Sequence, residues 1–305
     1  MFSYVARRLF QLCITLMLVS IVVFLLGRLS GDPLSLILPP EATEQDFAAA
    51  REQLGLDQPL WKQYSIFAAR ALRGDLGDSI TARRPVFPLV MERLPSSLAL
   101  AGATILLTLL FAVPLGVISA VRKGSYIDFG ARLVALLGQS VPSFWLGLIL
   151  LQFFAVQWRL LPFGDSNGIG YYVLPSITLA AFIAAGIMRL VRSSMLDAMD
   201  SDYVKFARSK GVPEWKVIWL HALRNALLPV MTLAGLYLGI LVTGAVVIEE
   251  VFIWPGMGRL AYQSVVTRDY PVVQGVVLVT AAVVLAANFI VDLLYGYADP
   301  RIRAQ

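Results

Sequence analysis

The stretch DYVKFARSKGVPEWKVIWLHALRNALLP, residues 202–229, lies between two apolar runs far too long for a soluble core, and it is rich in basic and aromatic side chains. Ser201 or Asp202 can cap a short helix that runs to Lys210, and Gly211 stands where a positive φ would stop it. Pro213 then suits the first turn of a second helix leading into the next apolar run. On the first helix Tyr203, Phe206, Ala207 and Lys210 share one face by their three-and-four spacing, with Lys205 and Arg208 alongside. The pattern predicts an aromatic ridge with basic flanks. Such a helix can lie on anionic lipid or dock into a partner protein. Two turns, few apolar anchors and a clamp at Gly211 and Pro213 suit a socket better than a membrane surface.

Composition sets the context for that insert. Of 305 residues 58% are hydrophobic and 15% charged, with a mean hydropathy of +0.74, so the chain reads as a polytopic membrane protein that contacts the lipid bilayer. The net charge of +5 follows from basic cytoplasmic loops, and no nucleic-acid partner is expected. Cys13 is the single cysteine, which excludes an internal disulfide framework.

Six segments meet the ~20-residue requirement for crossing a bilayer: roughly 9–29, 97–121, 133–156, 173–191, 227–248 and 272–294. The first resembles a signal peptide in following Arg7 and Arg8, but no small-x-small cleavage pattern comes after it, and it reads as a retained span ended by Gly31-Asp32-Pro33. With a cytoplasmic N-terminus, fourteen basic residues fall on the inner side and three, Arg159, Arg259 and Arg268, in short outer loops. That asymmetry predicts cytoplasmic N- and C-termini.

The expected fold is therefore an all-α polytopic membrane protein with six transmembrane helices, a helical extracytoplasmic insert after the first and a cytoplasmic helix between the fourth and fifth. Residues 1–29 form the N-terminus and first span, 30–95 the insert, and 96–305 a five-span core with a cytoplasmic loop at 192–226 and an outer loop at 249–271. In the insert, Thr43 with Asp46 resembles a helix start and Gly55 a stop. Asp57 then caps a helix with Pro59 in its first turn, and Gly74 lies beyond its end. In the outer loop, EEVFIWPGMGRLAYQSVVTRDYP, Trp254 suits either a gate or an aromatic anchor at the membrane interface.

No catalytic apparatus is expected. No Gly-Lys dipeptide occurs, so a GxxxxGK[ST] phosphate loop is absent, and His221 is the only histidine, which excludes histidine-based metal clusters. Gln139, Ser140, Gln152, Thr243 and Asn288 are polar positions within the spans. They are candidates to line a substrate path or to bond neighbouring helices.

The insert at 202–229 resembles the cytoplasmic coupling loop, the EAA loop, of permease subunits in bacterial ATP-binding-cassette importers. In the pattern EAAxxxG ending I-x-L-P, Ala207, Gly211 and Leu223 match, while Lys205, Phe206, His221 and Arg224 depart from it. Phrases similar to the dipeptide, oligopeptide, nickel and glutathione branch run in order along the whole chain. They are GDP at Gly31, LGLDQPL at Leu54, GDLGDSI at Gly74, QSVPSFWLGL at Gln139, YVLPSITLA at Tyr172, SDYVKFARSKGV at Ser201, HALRNALLP at His221, FIWPGMGRL at Phe252, RDYP at Arg268 and DPRIR at Asp299.

The resemblance implies a binding-protein-dependent permease in a bacterial inner membrane, forming half a substrate pathway. Its implied partners are a second homologous permease, two ATPases that carry ATP and Mg²⁺, and an extracytoplasmic solute-binding protein. Tyr203, Phe206, Ala207, Lys210, Gly211 and Leu223 would then couple to the ATPase. Glu249, Trp254, Pro255, Gly256 and Arg259 would form an outer gate or a binding-protein contact. Peptides are the expected substrate, with glutathione or nickel chelates as alternatives. A secondary transporter is disfavoured because the spans carry almost no ionisable residues at mid-depth.

Overall fold

The computed structural model describes residues 2–29, 43–53, 57–164 and 168–298. Thirteen helices are described: α1 (Phe2–Leu29), α2 (Glu44–Gln53), α3 (Leu60–Ala71), α4 (Val86–Val121), α5 (Tyr126–Ser140), α6 (Ser143–Leu150), α7 (Gly170–Met199), α8 (Asp202–Ser209), α9 (Glu214–Lys216), α10 (Leu223–Gly244), α11 (Val246–Val251), α12 (Met257–Val266) and α13 (Tyr270–Ala298). Wider π-type turns extend α6 over Leu151–Gln157 and join α9 to α10 over Val217–Ala222. Among the described residues the β-pairing is limited to an isolated antiparallel bridge, Asp78 with Pro85.

Five helices are long and apolar enough to span a bilayer, or six if a bent pair is counted as one span. That pair covers the expected third span, roughly 133–156, and divides it: α5 and α6 meet at 98°. The cause is local. The ring of Pro142 disfavours helical geometry at the residue before it, and Val141 is extended at φ −83°, ψ 126°. Pro142 itself, at φ −58°, then begins α6.

The chain forms two compact units. The first comprises residues 1–95 and 256–305. In it α1 lies against α13 and α3, and Gly27 lets α13 approach: a Cβ there would stand 1.8 Å from Gln274 Nε2. Its core is Val86, Leu89, Val90, Met257, Val272 and Val276. Asp269, 2% exposed, accepts from Ser79 Oγ at 2.5 Å and from the backbone N–H groups of Ile80 and Thr81, fixing the loop before α4.

In the insert, Thr43 and Asp46 exchange the hydrogen bonds of a helix start, as the sequence predicts. Gly74 is past the end of α3 at φ +80°. Asp57 does not cap α3; the N-cap position is taken by Pro59, which has no side-chain bond to give. Gly55, the Gly31-Asp32-Pro33 turn and the segment from Asp299 onward lie outside the described residues.

The second unit, residues 96–255, is built around α7, which packs against α5, α6 and α10. Glycines set the spacing. A Cβ on Gly116 would stand 2.7 Å from Val191, and one on Gly138 would stand 2.8 Å from the Ala181 carbonyl oxygen. α7 is followed by the two-residue turn before α8.

Candidate functional site

The short helix α8 is held from beneath. Val204 and Ala207 are buried at 0% and 8% exposure, while Tyr203 and Phe206 are exposed at 42% and 60%. Ala207 is thus on the packed face and not on the ridge where the spacing placed it. Leu223 is likewise buried at 8%. Both support the surface without forming it.

Both ends of α8 are defined by its own chain. Ser201 occupies the N-cap position with an extended backbone, but its hydroxyl turns back to the Ala198 carbonyl instead of capping. At the other end Gly211 has φ +72°, with Val212 N–H bonding the Ala207 carbonyl at 3.2 Å and Gly211 N–H the Arg208 carbonyl at 2.9 Å. This is a Schellman closure around a left-handed glycine. A bidentate pair, Arg208 Nη2 to Glu214 Oε1 at 2.6 Å and Nε to Oε2 at 3.2 Å, then bridges the turn. That hydrogen-bonded pairing raises the Arg208 pKa above the ordinary guanidinium value.

The exposed surface extends beyond the residues that sequence spacing singled out. Lys210 Nζ sits 4.4 Å from the centroid of the Phe206 ring, and Lys216 Nζ 5.4 Å from that of Trp215. Trp215, Trp219 and Leu220 are exposed at 61%, 43% and 62%. Cations stacked on aromatic faces keep a ridge both apolar and positive. The i,i+4 spacing of Trp215 and Trp219 was a legible signal for the second half of this surface.

A buried ion pair stands at the end of α7 that leads to α8, and no local motif announces it. Asp128, 1% exposed in the first turn of α5, accepts from Arg192 Nε at 2.8 Å and Nη2 at 2.9 Å, from Ser119 Oγ at 2.6 Å and from Gly124 N–H at 3.0 Å. Arg132 Nε adds a contact at 3.3 Å. α4, α5 and α7 are thereby tied together.

The outer-loop candidates are mostly interior. Trp254 is 1% exposed, donates Nε1 to the Ser96 carbonyl at 3.1 Å and meets the Tyr172 ring edge-on at 4.7 Å. A buried indole is not an aromatic anchor at the membrane interface, which corrects that reading of Trp254. Glu249, also 1% exposed, accepts from Ser97 Oγ at 2.7 Å. Gly256 is buried, and Pro255 and Arg259 are half-buried.

Gln139 accepts from Arg189 Nη1 at 2.7 Å, and Gln152 is exposed on the turn after α6. The hydroxyls of Ser140 and Thr243 bond carbonyls of their own helices. Asn288 belongs to the first unit and borders a cleft beside α1. Among the described residues no group of three or more His, Cys, Asp or Glu is placed to hold a metal.

Comparison with known proteins gives this geometry its family. The family model for the "binding-protein-dependent transport system inner membrane component" matches residues 112–304, and that for the N-terminal part of such components matches residues 1–101. The glutathione transport system permease protein GsiC of Escherichia coli (strain K12) is 41% identical over 304 residues, 99% of both chains. The protein of the same name from Salmonella choleraesuis is 42% identical over the same coverage. Among solved structures, the inward-facing MetNI methionine ABC transporter is similar in fold, with a TM-score of 0.55 at 17% identity, over 69% of this chain and 96% of that one. Matched along nearly its whole length, the chain belongs to the family of binding-protein-dependent transport system inner membrane components, and it is a multi-pass permease subunit of an ABC importer that works with ATPase and solute-binding-protein partners.

Proposed function

We propose that this chain forms half of the inward pathway for glutathione or a closely similar short peptide, with α8 as the element that engages an ATPase. The observation that carries the coupling role is the exposed ridge of Tyr203, Phe206 and Lys210, continued by Trp215 and Trp219, on a helix pinned by Val204, Ala207 and Gly211. Exposed aromatics backed by a rigid, closed helix resemble the anchor residues of protein interfaces. The complete assembly in this reading has two permeases and two ATPases that bind ATP and Mg²⁺, with an outer binding protein selecting the solute. Both termini are cytoplasmic, which puts α8 on the ATPase side. Exposed Gln139 and Gln152 remain the candidates to line the path.

Glutathione is preferred because full-length relatives carry that name, and it is itself a tripeptide, within the peptide class that the sequence suggests. The experiment expresses the transporter with its ATPases and binding protein, then measures uptake of labelled glutathione, a dipeptide and a nickel chelate. Glutathione uptake should dominate; dipeptide or nickel uptake without it reassigns the substrate. Phe206→Ala should abolish ATPase co-purification and uptake while the chain still inserts, since truncating an enclosed phenylalanine costs about 3–5 kcal/mol and less at a wet interface. Normal co-purification and uptake by Phe206→Ala and by Trp215→Ala would move α8 to a lipid surface. Uptake without the ATPases would indicate a secondary transporter.

A further inference from the structure

We propose that Arg189, set in place by Gln139, binds a carboxylate of the solute on its way along the pathway. Arg189 Nη1 donates to Gln139 Oε1 at 2.7 Å, so the guanidinium is located by that amide. Both residues belong to the second unit and are exposed. The inference rests on the pathway reading above and adds to it the group that recognises the cargo.

The position of the charge is unusual for a span. α7 is one helix from Gly170 to Met199, and Arg189 comes ten residues, about 15 Å, before its end. An arginine facing lipid near the end of a span carries its head to the nearer interface. The Arg189 side chain runs the other way. Gln139 follows Gly138, whose Cβ position lies 2.8 Å from the Ala181 carbonyl oxygen, and Ala181 is eight residues further from the Met199 end. The guanidinium is thereby drawn into the span, where a charge against lipid is costly and is served instead by a water-filled path or a counter-charge.

The second unit itself supplies no counter-charge. Among the described residues no carboxylate stands within ion-pair distance of Arg189. The Asp128 carboxylate, which meets α7 one turn inward, is already held by Arg192, Ser119 Oγ and Gly124 N–H. Gln139 brings no charge, and with its Oε1 facing the guanidinium its Nε2 is left as a donor. α10 adds a hydroxyl at nearly the same level: Tyr237 Oη stands 2.5 Å from where a Cβ on Gly186 would be, three residues from Arg189. Guanidinium, amide and hydroxyl together offer donors and one positive charge. A carboxylate satisfies that set, whereas a cation or an apolar solute does not. Glutathione and peptides both carry carboxylates.

The complete transporter, with its ATPases and binding protein in proteoliposomes, is tested for uptake of glutathione and of its C-terminal amide. The same binding protein serves every variant, so its own selectivity divides out when preferences are compared. Arg189→Gln should lower the preference for the carboxylate form about tenfold, the worth of one charge-assisted hydrogen bond, and Arg189→Lys should retain most of it. An unchanged preference in Arg189→Gln, or an equal fall in uptake of both solutes, overturns the proposal. Unaltered ATPase co-purification by Arg189→Gln separates this role from that of α8. Wild type that takes up no glutathione would refute the substrate reading alone, and a dipeptide with its amide then gives the same test of Arg189. In a Cys13→Ser background, Arg189→Cys should react with an impermeant thiol reagent present on both sides of the membrane. Failure to react would put the side chain against lipid or another chain, again overturning the proposal.

Discussion

Replacing Asp128 by leucine leaves the Arg192 guanidinium, whose side chain is only 20% exposed, facing an apolar group where it now has a bidentate carboxylate. The same change strips Ser119 Oγ, fully buried, and Gly124 N–H of their acceptor. Removing one partner of a buried pair costs about 3–5 kcal/mol, mostly through the charge left behind. The orphaned, buried Ser119 hydroxyl adds about 1–3 kcal/mol, whereas Gly124 is exposed and its N–H turns to water. Arg132, half exposed, is screened by solvent and adds little. Asp128→Leu should therefore lose about 4 kcal/mol or more, a large share of the about 5–15 kcal/mol that holds an ordinary domain together. Replacing both partners, Asp128→Leu with Arg192→Met, should recover much of it, because apolar substitution of a whole buried pair is often close to neutral. The assay is thermal unfolding of the detergent-purified chain for both single variants and the double variant. The cycle should give a coupling of at least about 1 kcal/mol. Additive losses, with the double variant no better than the worse single one, would refute the view that Asp128 and Arg192 stabilise α4, α5 and α7 as a unit.

Gly211→Ala should cost about 1–2 kcal/mol through its φ of +72° alone, because a Cβ there meets nothing within 4 Å; Gly211→Asn, which tolerates that conformation, should cost less when co-purification with the ATPase is titrated. Trp254→Phe should destabilise the chain in thermal unfolding by about 1–3 kcal/mol, since it leaves the Ser96 carbonyl without its indole donor and opens space beside Tyr172, and a silent substitution would contradict the buried placement. A cysteine at Thr43 in a Cys13→Ser background should react with an impermeant thiol reagent from outside the cell and one at Ser209 should not; the reverse labelling would invert the proposed topology.

Features whose cause lies within a few residues could be read without coordinates. Six apolar segments announce themselves because each must satisfy its backbone within a helix in lipid. Gly211 is legible for a similar reason: a left-handed closure is decided by the residue in it and the carbonyls of the turn before. The break at Pro142 was signalled by the proline, but its angle was not, since 98° is set by what α5 and α6 pack against.

What depends on partners far along the chain could not be read. Arg192 counts in the sequence only as one more cytoplasmic charge, and its bond to Asp128, 64 residues away, exists because α5 and α7 are brought together. Spacing places Ala207 with Phe206 on one helical face, but burial depends on which side meets the neighbouring helices, so Ala207 turns inward and Phe206 outward. Trp254 carries the same sequence signature whether it anchors at an interface or fills a core. Only the placement of Ser96 and Tyr172 around it, more than 80 residues away in each case, makes it interior. Local backbone chemistry was thus settled by the sequence itself, while the face each side chain presents was settled by tertiary packing, because burial belongs to the assembled helices and not to any one of them.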